Sequence, residues 1–290
     1  MCAAVLVIGS ANADLVVPVD HRPAGGETVL GGDTVLSPGG KGANTAVAAG
    51  RLGASVALLG AVGPDAYGTL LRDSLTGAGV SLDHLRTVDR PTGIAYITVT
   101  PDGENSILVS PGANSALSPS DITDAALSGA SVVVLSLEVP LATVSHAVSR
   151  AAASGATVLL NLSPAALLPT ETLSAVDVLL VNEHEAAYLL GSTSADLTGL
   201  LALGPRAAVV TLGARGAVVI TPEGPTSVAS PTVRALDTTG AGDAFAGALA
   251  ASLASGLSLT EAAHRAAAVA AVSVTRAGAQ PSYPTAAEVF

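Results

Sequence analysis

Short apolar runs alternate with small-residue, amphipathic segments from one end of this chain to the other, and that alternation leaves few folds open. Ala4–Gly9, Ser55–Leu59, Ser131–Leu137, Thr157–Asn161 and Val178–Val181 read as strands. Gly42–Leu52, Leu141–Ala153, Ala241–Ser255 and Thr260–Thr275 read as helices. Strands that are apolar at successive positions are buried on both faces, which requires helices on both sides of a parallel sheet. The pattern predicts an α/β fold, a doubly wound and mostly parallel sheet flanked by helices. Ala207–Leu212 and Ala217–Thr221 flank Gly213-Ala214-Arg215-Gly216 and predict a hairpin. No linker or repeat divides the chain, so 1–290 reads as a single domain.

Two segments break the alternation. Leu15–Leu36 holds strand-like pieces, Leu15–Val19 and Glu27–Leu30, interrupted by Pro and Gly. Gly93–Val109 alternates through Ile94–Val99 and turns at Pro101-Asp102-Gly103 into Ser106–Val109. Approximately 15–36 and 93–109 are expected to pair as a small antiparallel β sheet outside the main core, where a lid excluding water from a reaction would sit.

Net charge is −11 with a pI near 4.7, so the chain has no basic footprint for nucleic acid. Any anionic ligand must be held by local amides, a few cations and metal ions. Cys2 is the single cysteine, so no internal disulfide forms, and no His nearby suggests reactivity. The Ala3–Ile8 run is too short for a signal segment, and no apolar run is long enough for a membrane span. A soluble, cytoplasmic protein is expected. Asn161-Leu162-Ser163 matches a glycosylation sequon without a secretory context.

Asp237-Thr238-Thr239-Gly240-Ala241-Gly242-Asp243 leads into an Ala-rich helix. A helix N-terminus offers unpaired N–H groups and the positive end of the macrodipole, a ready anion site. Gly240 and Gly242 admit a phosphate to the backbone, and Asp243 is the one group there able to accept a proton. A capped helix with no ligand is the plainer reading of these residues alone. Gly39-Gly40-Lys41-Gly42-Ala43-Asn44 also enters a helix, but Gly42 stands where a Walker A loop needs Ser or Thr. Lys41 and Asn44 lie three apart and suit one polar ligand. Asn12 and Asp14 are i and i+2 and project to one side of an extended chain. An amide beside a carboxylate grips vicinal hydroxyls, although a polar turn explains the pair equally well. Glu138 follows Val132–Leu137 at a strand's C-terminal end, where open α/β sheets bind ligands. Glu183, His184 and Glu185 do not form a zinc motif, since Tyr188 stands where the second His is needed.

Asn12-x-Asp14, Gly39–Asn44, Asn182-x-x-Glu185, Thr211-Leu212-Gly213-Ala214-Arg215-Gly216 and Asp237–Asp243 occur in that order, and together the chain resembles the ribokinase-like carbohydrate kinase family. The similarity runs from Gly9-Ser10 through Pro111-Gly112-Ala113-Asn114 to Thr275–Ser282. By this resemblance Asn12, Asp14, Gly40, Lys41, Asn44 and Glu138 hold sugar hydroxyls, Asp243 is the catalytic base and Gly240, Ala241 and Gly242 form the anion hole. Asn182 and Glu185 organise Mg²⁺ and phosphate-bound water. Thr211, Gly213, Arg215 and Gly216 run along ATP. Asp237, Thr239, Ser273, Arg276, Gly278 and Ser282 line a K⁺ site, mostly through backbone carbonyls. Ala267 falls where some family members carry a polar residue near adenine. The resemblance implies ATP-dependent phosphorylation of a sugar, D-ribose at its 5-hydroxyl, by a homodimer joined through the lids. A 2-deoxyribose kinase or fructokinase is the nearest alternative. A dinucleotide-dependent oxidoreductase lacks its Gly-x-Gly-x-x-Gly after the first strand, and a silent sugar sensor has no need of Asp243.

Overall fold

The computed structural model describes residues 4–193 and 196–290, so Cys2 lies outside the described residues. Its strands are β1 (Val5–Ile8), β2 (Asn12–Pro18), β3 (Val35–Gly39), β4 (Val56–Val62), β5 (Leu85–Thr87), β6 (Gly93–Val99), β7 (Asn105–Ser110), β8 (Val132–Leu135), β9 (Thr157–Asn161), β10 (Val178–Asn182), β11 (Ala207–Thr211), β12 (Ala217–Thr221) and β13 (Gly224–Val228). Its helices are α1 (Lys41–Arg51), α2 (Ala66–Gly77), α3 (Asp124–Leu127), α4 (Leu141–Ala153), α5 (Thr170–Ser174), α6 (Glu183–Leu190), α7 (Ala241–Ala254), α8 (Leu259–Ser273) and α9 (Ala286–Val289).

The main sheet has nine strands in the order β13-β12-β11-β10-β9-β8-β1-β4-β5. It is parallel except at β11–β12 and β12–β13, which form an antiparallel edge. β1 pairs with β4 on one side and β8 on the other. The chain therefore winds outward in one direction, returns past its start and winds outward in the other. That reversal leaves a crevice at the C-terminal ends of β1 and β8. Side chains alternate between two cores: Val5 and Val7 join Val132 and Val134 beneath α1, α7 and α8, while Leu6 and Ile8 join Val133 and Leu135 against α4. Burial on both faces explains why these strands read as unbroken apolar runs.

The second sheet has the order β3-β2-β6-β7. Its outer pairs are antiparallel, and its central pair, β2 with β6, runs parallel. Glu27–Leu30, expected to be strand-like, is not a strand; β3 takes that place. β3 contains Pro38 and is tolerated as a strand because it lies at an edge. This sheet leaves Val35, Tyr96, Ile107 and Leu108 exposed, Leu108 by 70%, and Leu30 in the loop before β3 is exposed as well. Among the described residues, no helix is long and apolar enough to cross a membrane.

α1 and α7 pack with almost no side chain between them. A Cβ on Gly247 would lie 2.5 Å from the Thr45 carbonyl oxygen and 2.7 Å from Ala48 Cβ. A Cβ on Gly42 would lie 2.6 Å from the Gly9 carbonyl carbon, so α1 also sits against the end of β1. Gly247→Val is expected to lower stability in urea unfolding by roughly 1–3 kcal/mol through overpacking. Gly77→Ala, whose Cβ would meet nothing within 4 Å, is the matched control and should cost nothing.

Candidate active site

Two helix N-termini converge on the crevice. α1 begins after Gly40, whose φ of 88° and close approach to the Asn12 N–H both require glycine. α7 begins after Gly240, with φ 72°, and Asp243 lies in its first turn. The seam between the helices brings Asn44 beside Asp243, and Asn44 Nδ2 donates to Asp243 Oδ2 at 2.9 Å. Tyr283 is buried and donates its hydroxyl to the Gly240 carbonyl at 3.0 Å, anchoring the start of α7.

Across the crevice, Glu138 Oε2 accepts from Ser10 Oγ at 2.6 Å, from Asn12 Nδ2 at 3.3 Å and from the Lys41 backbone N–H at 3.3 Å. Asn114 orients Asn12: its Nδ2 donates to Asn12 Oδ1 at 2.7 Å, and its Oδ1 accepts from the Ala11 N–H at 2.9 Å. Asp14 lies over Gly39, where any Cβ would come within 2.0 Å of its carboxylate. Asn12, Asp14, Asn44 and Asp243 are all buried. Hydrogen bonds and charge interactions thus link Asn12, Asp14, Lys41, Asn44, Glu138 and Asp243 into one cluster at the crevice.

Burial pushes the Asp243 carboxyl up to about 6, against the pull of Lys41 and the Asn44 hydrogen bond. Asp14 is pushed up to about 7 by burial, then by the nearby carboxylates Glu138 and Asp243. Lys41 would be lowered by its own burial, but Asp243, Glu138, Glu185 and Asp14 outweigh that and raise it. The site therefore keeps one firmly charged cation beside Asp14 and Asp243, whose acidity is reduced.

A polar cavity of about 170 Å³ opens beside Asp243 and is lined by Lys41, Asn161, Asn182, Glu185 and the Gly240–Gly242 amides. The position a Cβ would occupy on Gly242 has nothing within 4 Å, so the backbone is open to a ligand. A second, more apolar cavity of about 290 Å³ adjoins it, lined by Gly213, Gly216, Val233, Phe245, Ala267 and Val274 among others. Thr211, Thr238, Ala241 and Gly242 line both. One elongated ligand with an anionic end and a flat apolar end fits the pair.

Asn182 and Glu185 form a reciprocal capping box on α6: the Glu185 N–H donates to Asn182 Oδ1 and the Asn182 N–H to Glu185 Oε2, each at 2.8 Å. They serve local structure and face the cavity at once. Arg215 departs from expectation, since it does not line the apolar cavity and its guanidinium pairs with Glu183. Asp237 accepts from the Thr239 N–H at 2.9 Å and the Gly278 N–H at 2.7 Å, tying two loops together. Partial burial works against its ionisation, but those bonds prevail and lower its pKa. Ser273 and Ser282 donate to the carbonyls of Ala270 and Ala279, and Arg276 pairs with Glu288. Their side chains are committed locally, which leaves backbone carbonyls as the ligands these loops can offer.

The model of the pfkB family carbohydrate kinases matches residues 3–286. The chain belongs to this family. It is 38% identical over 294 residues to the ribokinase of Haemophilus influenzae, covering 98% of this chain and 96% of that protein. It is 40% identical over 297 residues to the ribokinase of Mus musculus, covering 97% and 92%. The crystal structure of the Thermotoga maritima ribokinase superposes with a TM-score of 0.92 at 33% identity, over 99% of this chain and 98% of that one. The Arabidopsis thaliana ribokinase complexed with ribose and ATP gives 0.91 at 33% identity, over 100% and 98%.

As a pfkB carbohydrate kinase the chain is a phosphotransferase with a sugar hydroxyl as acceptor. Sequence reasoning assigned no role to Ser10, Asn114, Gln280 or Tyr283, because their partners lie far along the chain. Ser10, inside Gly9-Ser10, Asn114, inside Pro111–Asn114, and Gln280, inside Thr275–Ser282, carried a signal through the resemblance, whereas Tyr283 did not.

Asp243 has a raised carboxyl, so the folded chain binds its proton more tightly than the unfolded chain does. Its contribution to stability is adverse above about pH 6 and is relieved as pH falls through that value. Asp243→Asn is therefore expected to stabilise the ligand-free protein at pH 7.5 by roughly 1–3 kcal/mol. The gain should fade below pH 5 (approximate) in thermal melts.

Proposed function

We propose that the protein transfers the γ-phosphoryl group of ATP to the 5-hydroxyl of D-ribose. The observation that carries the reading is the position of Asp243, which stands between the hydroxyl-binding side chains and the polar cavity at the start of α7. The relatives named as ribokinases, and the Arabidopsis complex with ribose and ATP, support the choice of sugar and nucleotide.

In this mechanism Asn12, Asp14, Lys41, Asn44 and Glu138 hold the secondary hydroxyls and turn the primary one toward Asp243. Asp243 takes the proton as the oxygen attacks the γ-phosphorus in line and the bond to the β-phosphate oxygen breaks. The amides of Gly240, Ala241 and Gly242 stabilise charge on the transferring group, and Lys41 balances the carboxylates. Positioning and electrostatics of this kind supply most of the rate in phosphoryl transfer. The adenine side of ATP occupies the apolar cavity, where Ala267 provides packing and no hydrogen bond.

Asn182 and Glu185, a neutral oxygen donor and a carboxylate at the edge of the polar cavity, fit Mg²⁺ held with phosphate and water. When bound it would neutralise charge on the phosphates. The ionised Asp237 and the carbonyls of the loops bearing Thr239, Ser273, Arg276, Gly278 and Ser282 fit a K⁺ ion, which would fix those loops beside the anion hole. The second sheet, with 15–36 and 93–109 as its main spans, acts as a lid on one domain covering 1–290. Its exposed Val35, Tyr96, Ile107 and Leu108 support closure against a second copy of this chain. A cytoplasmic location fits ATP as the donor.

The test is ADP release against a panel of ribose, 2-deoxyribose, fructose and adenosine, in K⁺ and in Na⁺. Ribose should be turned over selectively and faster in K⁺. Preference for 2-deoxyribose or fructose would replace the substrate, and equal rates in both salts would remove the cation site. A base titrating at about 6 must be ionised to act, so kcat/KM for the sugar should fall as pH drops through that value. A flat profile down to roughly pH 4.5 would contradict the role given to Asp243.

A further inference from the structure

Gln280 lines neither the polar nor the apolar cavity, yet it is fully buried with both side-chain polar atoms hydrogen-bonded. Ser74 Oγ, on α2, donates to Gln280 Oε1 at 2.5 Å. Gln280 Nε2 donates to Asn44 Oδ1 at 2.9 Å. Asn44 Nδ2 donates to Asp243 Oδ2 at 2.9 Å. These bonds form one directional chain, Ser74 to Gln280 to Asn44 to Asp243, joining α2, the loop after α8, α1 and α7.

We propose that Gln280 is a positioning residue that fixes the orientation of the Asn44 amide and, through it, the carboxylate of Asp243. The inference rests on Asp243 being the base of the proposed reaction. An ionised carboxylate only accepts, so Asn44 must turn its NH₂ group toward Asp243 and its oxygen away. That oxygen then needs a donor in a buried place, and Gln280 is the donor it has. Gln280 in turn is held by the Ser74 hydroxyl at its own oxygen. Without Gln280 the Asn44 amide is free to rotate and present its oxygen to Asp243, where two acceptors repel. With the chain intact, Asn44 keeps a second amide hydrogen for a sugar hydroxyl beside the base.

The same short segment holds the anion hole. Gly278, two residues before Gln280, binds Asp237, and Tyr283, three residues after it, binds the Gly240 carbonyl. Base and anion hole are thereby referenced to one stretch of backbone. A displacement of that stretch moves both together.

The test is a double-mutant cycle on the full-length protein, with saturating ribose, ATP and KCl. Gln280→Met keeps the length of the side chain and removes its hydrogen bonds. It should lower kcat roughly tenfold to hundredfold, as expected if the Asn44 bond to the charged Asp243 is lost along with the neutral Gln280–Asn44 bond, with KM for ATP unchanged. Asn44→Ala should lower kcat at least as much, and Gln280→Met added to Asn44→Ala should change it by less than about twofold. Multiplying effects, or wild-type kcat in Gln280→Met, would overturn the inference. If Gln280→Met fails to fold, Ser74→Ala on the half-buried face of α2 takes its place. It should cost roughly two- to fivefold in kcat and nothing further in the Asn44→Ala background, and multiplying effects would again overturn the inference. Asp243→Asn separates the two readings. Near-normal turnover there would overturn the base assignment itself, and with it the inference. Loss there, with Gln280→Met unaffected, would overturn the positioning role alone.

Discussion

The close seam between α1 and α7 is the contact on which the rest of the site depends. Gly247 sits against Thr45 and Ala48, and Gly42 sits against Gly9, so the two helices and the end of β1 meet at backbone distance. Because no bulky side chain separates them, the first turns of both helices open onto one crevice. Asn44 then reaches Asp243 directly, and the N-terminal amides of α7 face the cavity that Lys41 also lines. A larger residue at Gly247 would part α1 from α7, and one at Gly42 would part α1 from the end of β1. The topology of the sheet places the crevice, and the small residues determine that it is narrow enough to act as one site.

Electrostatics explain how a chain of net charge −11 is suited to a polyanion. Lys41 is surrounded by Asp243, Glu138, Glu185 and Asp14, so it carries its charge firmly despite burial. Asp243 and Asp14 are raised toward neutrality by the same burial. Raised carboxyls at about 6 and about 7 match what the proposed reaction asks of a general base. The Gly240–Gly242 backbone at the start of α7 lines the polar cavity, and under the proposed reaction its amides, which do not titrate, would meet the phosphates. Burial of an ionisable Asp243 works against stability, which under the proposed reaction is the cost of placing a base there.

Much of this was legible in the sequence wherever one local cause acts alone. Thr157–Asn161, Ala217–Thr221 and Leu141–Ala153 fall where their patterns place them, because burial on one or both faces dictates the residues. Glu27–Leu30 has strand-like composition but finds no partner strand. Val35–Gly39 has Pro and Gly but pairs with β2, so the ladder rather than propensity decides. Asn182 and Glu185 show how two readings can both hold, since the capping box that starts α6 also presents the pair to the cavity. Arg215, expected along ATP, pairs with Glu183, a partner that its sequence neighbourhood did not reveal. Asn114 and Gln280 lay inside motifs of the resemblance, but their partners were not legible, because these stand 102 and 236 positions away.

The central claim is that the seam presents a sugar's primary hydroxyl to Asp243 beside the phosphate cavity. The direct measurement is NMR of the product formed from ATP and ¹³C-labelled ribose. Coupling between phosphorus and C5, with one ADP released per phosphate transferred, is the predicted result. Phosphate on any other carbon, or ADP formed without a phosphorylated sugar, would contradict the account.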